Sequence, residues 1–138
     1  MTFEEFQIFA EDKMATDWTT TPIQFENRTD SVALVTAKNA KNPWVRFTIL
    51  DGDGQRQSIG SNSPIHRYAG VMIAQIFVKQ TIGTKLINQY ADSISAIWKD
   101  YSGQPDVEVR TPSVEKIGDD KGWFQKNVNI PFQNDETS

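Results

Sequence analysis

From Gly122 to Phe132 the chain alternates with a two-residue period. Phe124, Val128, Ile130 and Phe132 fall on one side, interrupted only by Lys126, while Trp123, Gln125, Asn127 and Asn129 fall on the other. A helix cannot sort residues this way, so this segment must be a strand with one face in a core. Its second face is polar but carries no charge, which suits an interface that forms hydrogen bonds without burying ions. The chain has no Cys and a single His, so the usual side chains of catalysis are scarce. The pattern points to assembly rather than catalysis, with no cofactor and no metal.

At 138 residues the chain is expected to form one domain, residues 1–138, burying roughly two-thirds of its unfolded surface without staples. The absence of Cys rules out a disulfide framework and thiolate metal sites, and fits a reducing compartment. The start, Met1-Thr2-Phe3-Glu4-Glu5-Phe6, lacks the basic region and apolar run of a signal peptide. No segment approaches the ~20 apolar residues of a membrane span, so a soluble protein made in the cytoplasm is expected. A net charge of -4 and a pI near 4.9 disfavour wrapping a nucleic acid, because that affinity comes from Lys and Arg displacing counterions.

Thr2 and Glu5 have capping-box spacing, and Phe3, Phe6, Ala10 and Met14 follow at helical intervals, which predicts a helix over Thr2 to Ala15. A turn region containing Trp18 comes next. Short strands are expected at Ile23 to Glu26 and Val32 to Thr36, and a clearer one over Trp44 to Leu50, with Arg46 and Thr48 on its polar side. Asp51-Gly52-Asp53-Gly54 has the chemistry of a hairpin turn, returning along Gln55 to Gly60. Arg67 to Lys79 is apolar on both faces and predicts a central strand covered on both sides, with Gly70 marking a bend or bulge. Thr84 to Tyr101 is an amphipathic helix. Val107 to Arg110 and Gly122 to Phe132 complete the strands, joined through Ile117 to Lys121, and Gln133 to Ser138 reads as a frayed tail. The order implies an α+β fold, a mainly antiparallel sheet with two helices packed on one face.

Candidate chemistry is thin when weighed residue by residue. His66 beside Arg67 could act as a general base, but no Ser or Cys motif accompanies it, and an edge histidine is favoured. Asp51 to Gln55 superficially matches a calcium loop, yet Arg56 stands where that loop needs Gly and Asn62 where it needs Glu, so a turn is favoured. Asp119 and Asp120 could hold a divalent ion between subunits, though a solvated turn explains them as well. Of the four Trp residues, Trp98 belongs to a helix stripe and hence to the core. Trp44 and Trp123 begin strands and are better interface candidates, while Trp18 fits either role.

Taken in order, Pro43-Trp44-Val45-Arg46, Gln57-Ser58-Ile59-Gly60, Arg67 with Gly70, Gln75-Ile76-Phe77, Gly83, Gly122-Trp123-Phe124-Gln125, Asn127-Val128 and Ile130-Pro131-Phe132 resemble the tail terminator family of long-tailed bacteriophages. The resemblance implies a homo-oligomeric ring, usually hexameric, that caps the tail tube, stops its polymerisation and offers the head-joining surface. It implies a virion protein at the head-proximal end of the tail, assembled in the host cytoplasm. Its partners would be other copies of itself, the tail tube protein and a head-completion or connector protein, with DNA passing through the lumen without specific binding. It carries no catalytic residues. A ring needs heterologous interfaces, for which Trp44, Arg46, Thr48, Arg67, Trp123, Gln125, Asn127 and Asn129 are the candidates. The alternatives are another head–tail connector or neck protein, or a small ligand-binding domain built around His66, Arg67 and nearby acids.

Overall fold

A computed structural model describes residues 1–56 and 65–137. Their elements run α1 (Phe3–Asp17), β1 (Ile23–Gln24), α2 (Val32–Ala40), β2 (Trp44–Arg56), β3 (Ile65–Lys79), α3 (Lys85–Trp98), β4 (Val107–Val109), β5 (Ser113–Asp120) and β6 (Trp123–Thr137). One sheet has the order β1-β2-β3-β6-β4, with β5 also on β6. Every pairing is antiparallel except β1 with β2. The α+β expectation holds, and so do both long helices on one face.

α1 starts as its sequence dictates. Thr2 Oγ1 accepts from the Glu5 N–H at 3.1 Å, and Glu5 accepts from the Thr2 N–H at 2.9 Å, satisfying two donors that the first helical turn leaves open. Those hydrogen bonds hold the Glu5 carboxyl below its ordinary pKa. Phe6, Ala10 and Met14 point from α1 into the core, and Ile87, Ala91, Ile94 and Trp98 do the same from α3. They meet Val45, Phe47 and Ile49 of β2, alternate residues Met72 to Val78 of β3, and Val128, Ile130 and Phe132 of β6. Each fully buried large side chain stabilises the fold by about 1.5–3 kcal/mol relative to exposure. Trp98 Nε1 is buried too, and it donates to Met14 Sδ at 3.2 Å.

Val32 to Thr36, expected as a strand, begins α2 instead. β1 and β2 run parallel, so the chain must cross back to the same end of the sheet, and a helix is the usual crossover. Ser31 Oγ caps it by accepting from the Leu34 N–H at 3.2 Å. The crossover sets α2 on the sheet face opposite α1 and α3, where Leu34 packs with Trp44 and Phe77.

Asp51 to Gly54 is not a hairpin tip. It lies within β2, whose register against β3 slips between Asp51 and Gly54 before pairing resumes to Arg56. A side chain at Gly52 would collide with the Ala69 carbonyl and one at Gly54 with the Tyr68 ring, so these glycines admit the neighbouring strand. Gly70, opposite Asp51 at the bulge, has the irregularity expected of it. The Gln57 to Gly60 motif and Asn62 lie outside the described residues.

β3 is central, as expected, but only one of its faces is fully covered. Residues 133–137 are no frayed tail: they pair with β3, and Asn134, 1% exposed, donates to the Met1 carbonyl at 2.9 Å. The segment thought to join the last two strands is itself a strand, β5, exposed along most of its length. Among the described residues, no helix is long and apolar enough to cross a membrane.

Candidate functional site

The face of the sheet turned away from α1 and α3 gathers all eight candidate interface residues. Register aligns Trp44 with Phe77 and Phe77 with Gln125, Arg46 with Gln75 and Asn127, and Thr48 with Ile73 and Asn129. Trp123 lies one same-face step before Gln125, and Arg67 three such steps before Ile73. Sequence reasoning offered them as ring-contact candidates on separate strands, and the structure places them on one face.

At one end of this surface three aromatic rings form a small second core. Trp44 stacks on Phe77 with centroids 3.9 Å apart and planes 1° from parallel, and Trp123 stands edge-on to both at 6.1 and 6.4 Å. Trp44 and Phe77 are buried and Trp123 half-buried, so Trp44 lies beneath the contact surface rather than on it. Cations cover the rings: Lys38 Nζ is 4.4 Å from the Trp44 centroid, Lys41 Nζ 4.7 Å from that of Trp123, and the Arg46 guanidinium 5.4 and 5.3 Å from Trp44 and Phe77. Lys38 is also tied to Asp30 at 2.9 Å. Beside the rings a depression of about 350 Å³ is lined by Trp44, Arg46, Gln75, Phe77, Asp120, Lys121, Trp123 and Gln125.

Along the middle of the face the side chains are amides and aliphatics. Gln75 Nε2 donates to Gln125 Oε1 at 2.7 Å. Trp44 Nε1 and Asn127 Oδ1 are buried with no hydrogen-bond partner among the described residues. A buried polar atom without a partner costs about 1–3 kcal/mol. Thr48, Val71, Ile73 and Asn129 are half-buried, and Leu50 is 51% exposed.

At the far end Arg67 binds Asp135 through two hydrogen bonds, 2.8 and 3.1 Å long. These bonds keep the guanidinium pKa above its ordinary value. Arg67 is therefore committed to β6, and it orders this corner rather than offering a free charge. His66 points to the opposite side of β3, aligned with Arg56 and Glu136. Among the described residues no three His, Asp or Glu side chains converge as a metal site would require. Asp119 and Asp120 end β5, beside the aromatic end.

Lys38 and Lys41 were not singled out from sequence, and Gln75 and Phe77 were noted only within the Gln75-Ile76-Phe77 motif and not as contact residues. The signal for these two and for Ile73 was their parity with Arg67 on the same strand. Lys38 lies on α2 and Lys41 caps its end, a helix whose first half, Val32 to Thr36, was expected as a strand.

No family model and no curated protein matches the chain. One solved structure, of a protein whose name carries no functional description, superposes with a TM-score of 0.63 over 94% of each chain at 16% sequence identity. That likeness shows a shared fold and nothing more.

Proposed function

We propose that this chain is a tail terminator of a long-tailed bacteriophage, a structural protein whose copies form a ring on the head-proximal end of the tail tube. One observation carries the reading. The eight residues chosen from sequence lie on the sheet face that the long helices leave open, and along its middle that face sets amides beside aliphatics that the chain leaves half-covered. Such a surface suits a protein neighbour. Ring closure would make the tube protein and a head-joining protein the natural partners of the two ring faces. A chain of net charge -4 would also line a lumen that repels DNA and lets it pass.

Tail morphology tests the proposal. Deleting the gene should give overlong tails, and the purified chain should form rings seen by negative stain, alone or on tube ends. Normal tails detached from heads would assign it to the connector instead. A chain that stays monomeric even with tubes present would remove the proposal.

A further inference from the structure

A closed ring needs two different surfaces that fit each other, and the open face supplies one. Charge along the strand axis points to the second. The strands share an axis, so the molecule has a turn end, where β2 begins and β3 ends, and a hairpin end, where β2 stops and β6 finishes. At the turn end Arg46 and Lys121 line the aromatic depression together with Asp120, Lys41 covers the Trp123 ring and Lys79 pairs with Trp123 beside it, and Asp119 precedes Asp120 on β5.

The hairpin end has the opposite sign. Met1, Thr2, Glu5, Asp106 and Glu136 line a hollow of about 170 Å³ there, with Glu108 on the adjacent β4 and Asp51 and Asp53 on the end of β2. Some local cations answer these acids: the Met1 amine reaches Asp106 at 3.5 Å, Arg67 holds Asp135, and Arg110 bonds Gln133. Arg56 also lies at this end. Carboxylates still outnumber cations.

We propose that copies of this chain associate head to tail, the acidic hairpin end of one copy docking on the basic aromatic depression of the next. The contact pairs surfaces of opposite sign and keeps like ends apart. A nucleic acid is the less fitting occupant, because Trp44 and Phe77 are buried and present no open ring for a base to stack on. The inference rests on the reading of the chain as a self-assembling protein, but not on what the assembly caps.

Sedimentation of the full chain at about 0.01 M and about 1 M salt tests it, with far-UV circular dichroism confirming that each variant folds. Wild type should self-associate at low salt and dissociate at high salt. Lys41→Glu with Lys121→Glu, and separately Glu108→Lys with Glu136→Lys, should each weaken association by about tenfold or more. Mixing the two variants should restore association, because the unchanged end of one meets the unchanged depression of the other and the two reversed surfaces are again opposite in sign. A chain carrying all four changes should regain association.

Wild type that stays monomeric at low salt, with no association in the mixture, would overturn the inference. So would binding of a short DNA duplex that Lys41→Glu and Lys121→Glu abolish in a chain that does not self-associate. Rings indifferent to all four charges would sink this interface and leave the terminator proposal standing. Association restored in the mixture, in a protein whose loss leaves tail length normal, would do the reverse.

Discussion

The two faces of β3 obey different rules although they share one backbone. Met72, Ala74, Ile76 and Val78 are 0% exposed beneath α1 and α3, while Val71, Ile73 and Gln75 on the other side are only half-covered. Side chains on the first face hold the fold together. Those on the second match one another in character across three strands, yet the single chain covers most of them only in part. An apolar strand that looks buried on both sides from sequence can thus be buried by its own helices on one side and await a neighbour on the other.

The sharpest way to break this comparison is to injure the helix-covered face. Trp98→Ala should cost about 3–5 kcal/mol in urea denaturation, because the indole is fully buried. A loss under about 1 kcal/mol would mean that this face is not where stability resides. Arg28→Ala should cost about 1–3 kcal/mol, since it strips the 2.7 Å partner from Glu11, a side chain only 7% exposed on α1. Arg28→Lys should recover part of that loss. Removing the cap with Thr2→Ala should cost about 1 kcal/mol, measured in the same way.

On the open face, Asn129→Ala should change monomer stability by no more than about 0.5 kcal/mol while reducing self-association. Equal damage to both properties would erase the distinction between the faces. The smallest effect belongs to Asp51, whose carboxyl is pushed above its ordinary pKa first by partial burial and then by the charge of Glu26. The folded state therefore holds that proton more tightly than the unfolded chain does. Stability should fall as pH rises from the ordinary carboxylate value through the raised one. Asp51→Asn should remove this fall and leave stability in more acidic solution unchanged, as a pH series of thermal melts would show.

Where local signals and tertiary demands agreed, the sequence was legible. The Thr2 and Glu5 box and the stripe of α3 each fixed a helix to within a few residues, while the alternation of β6 fixed its start and left out residues 133–137. The Lys126 interruption of that alternation is explained by its position: its Nζ reaches Asn88 at the start of α3, at 2.6 Å. α2 was misread because Val32, Val35 and Thr36 favour strands locally, while the parallel pairing of β1 and β2 requires a crossover that no local pattern announces. Ser31 was the cap signal available and unread. Asp51 to Gly54 misled for a related reason, since glycines that would permit a turn here admit the close approach of β3.

The candidate site was legible as a set of residues and illegible as a shape. Period-two reading selected side chains one strand at a time, and only the register joined them into one face. It could not foresee that Trp44 would lie under Arg46 and Lys38, or that Arg67 would be engaged by Asp135.

The division of the indoles between two clusters gives the protein a built-in optical label. Trp18 and Trp98 belong to the main core, whereas Trp44 and Trp123 share the satellite cluster with Phe77 beneath a cover of ammonium and guanidinium groups. Emission from the first pair reports melting, and emission from the second reports whatever settles over the open side of the sheet. Replacing Trp18 and Trp98 by Phe would silence the first signal and leave, while the protein stays folded, a fluorophore pair that watches docking.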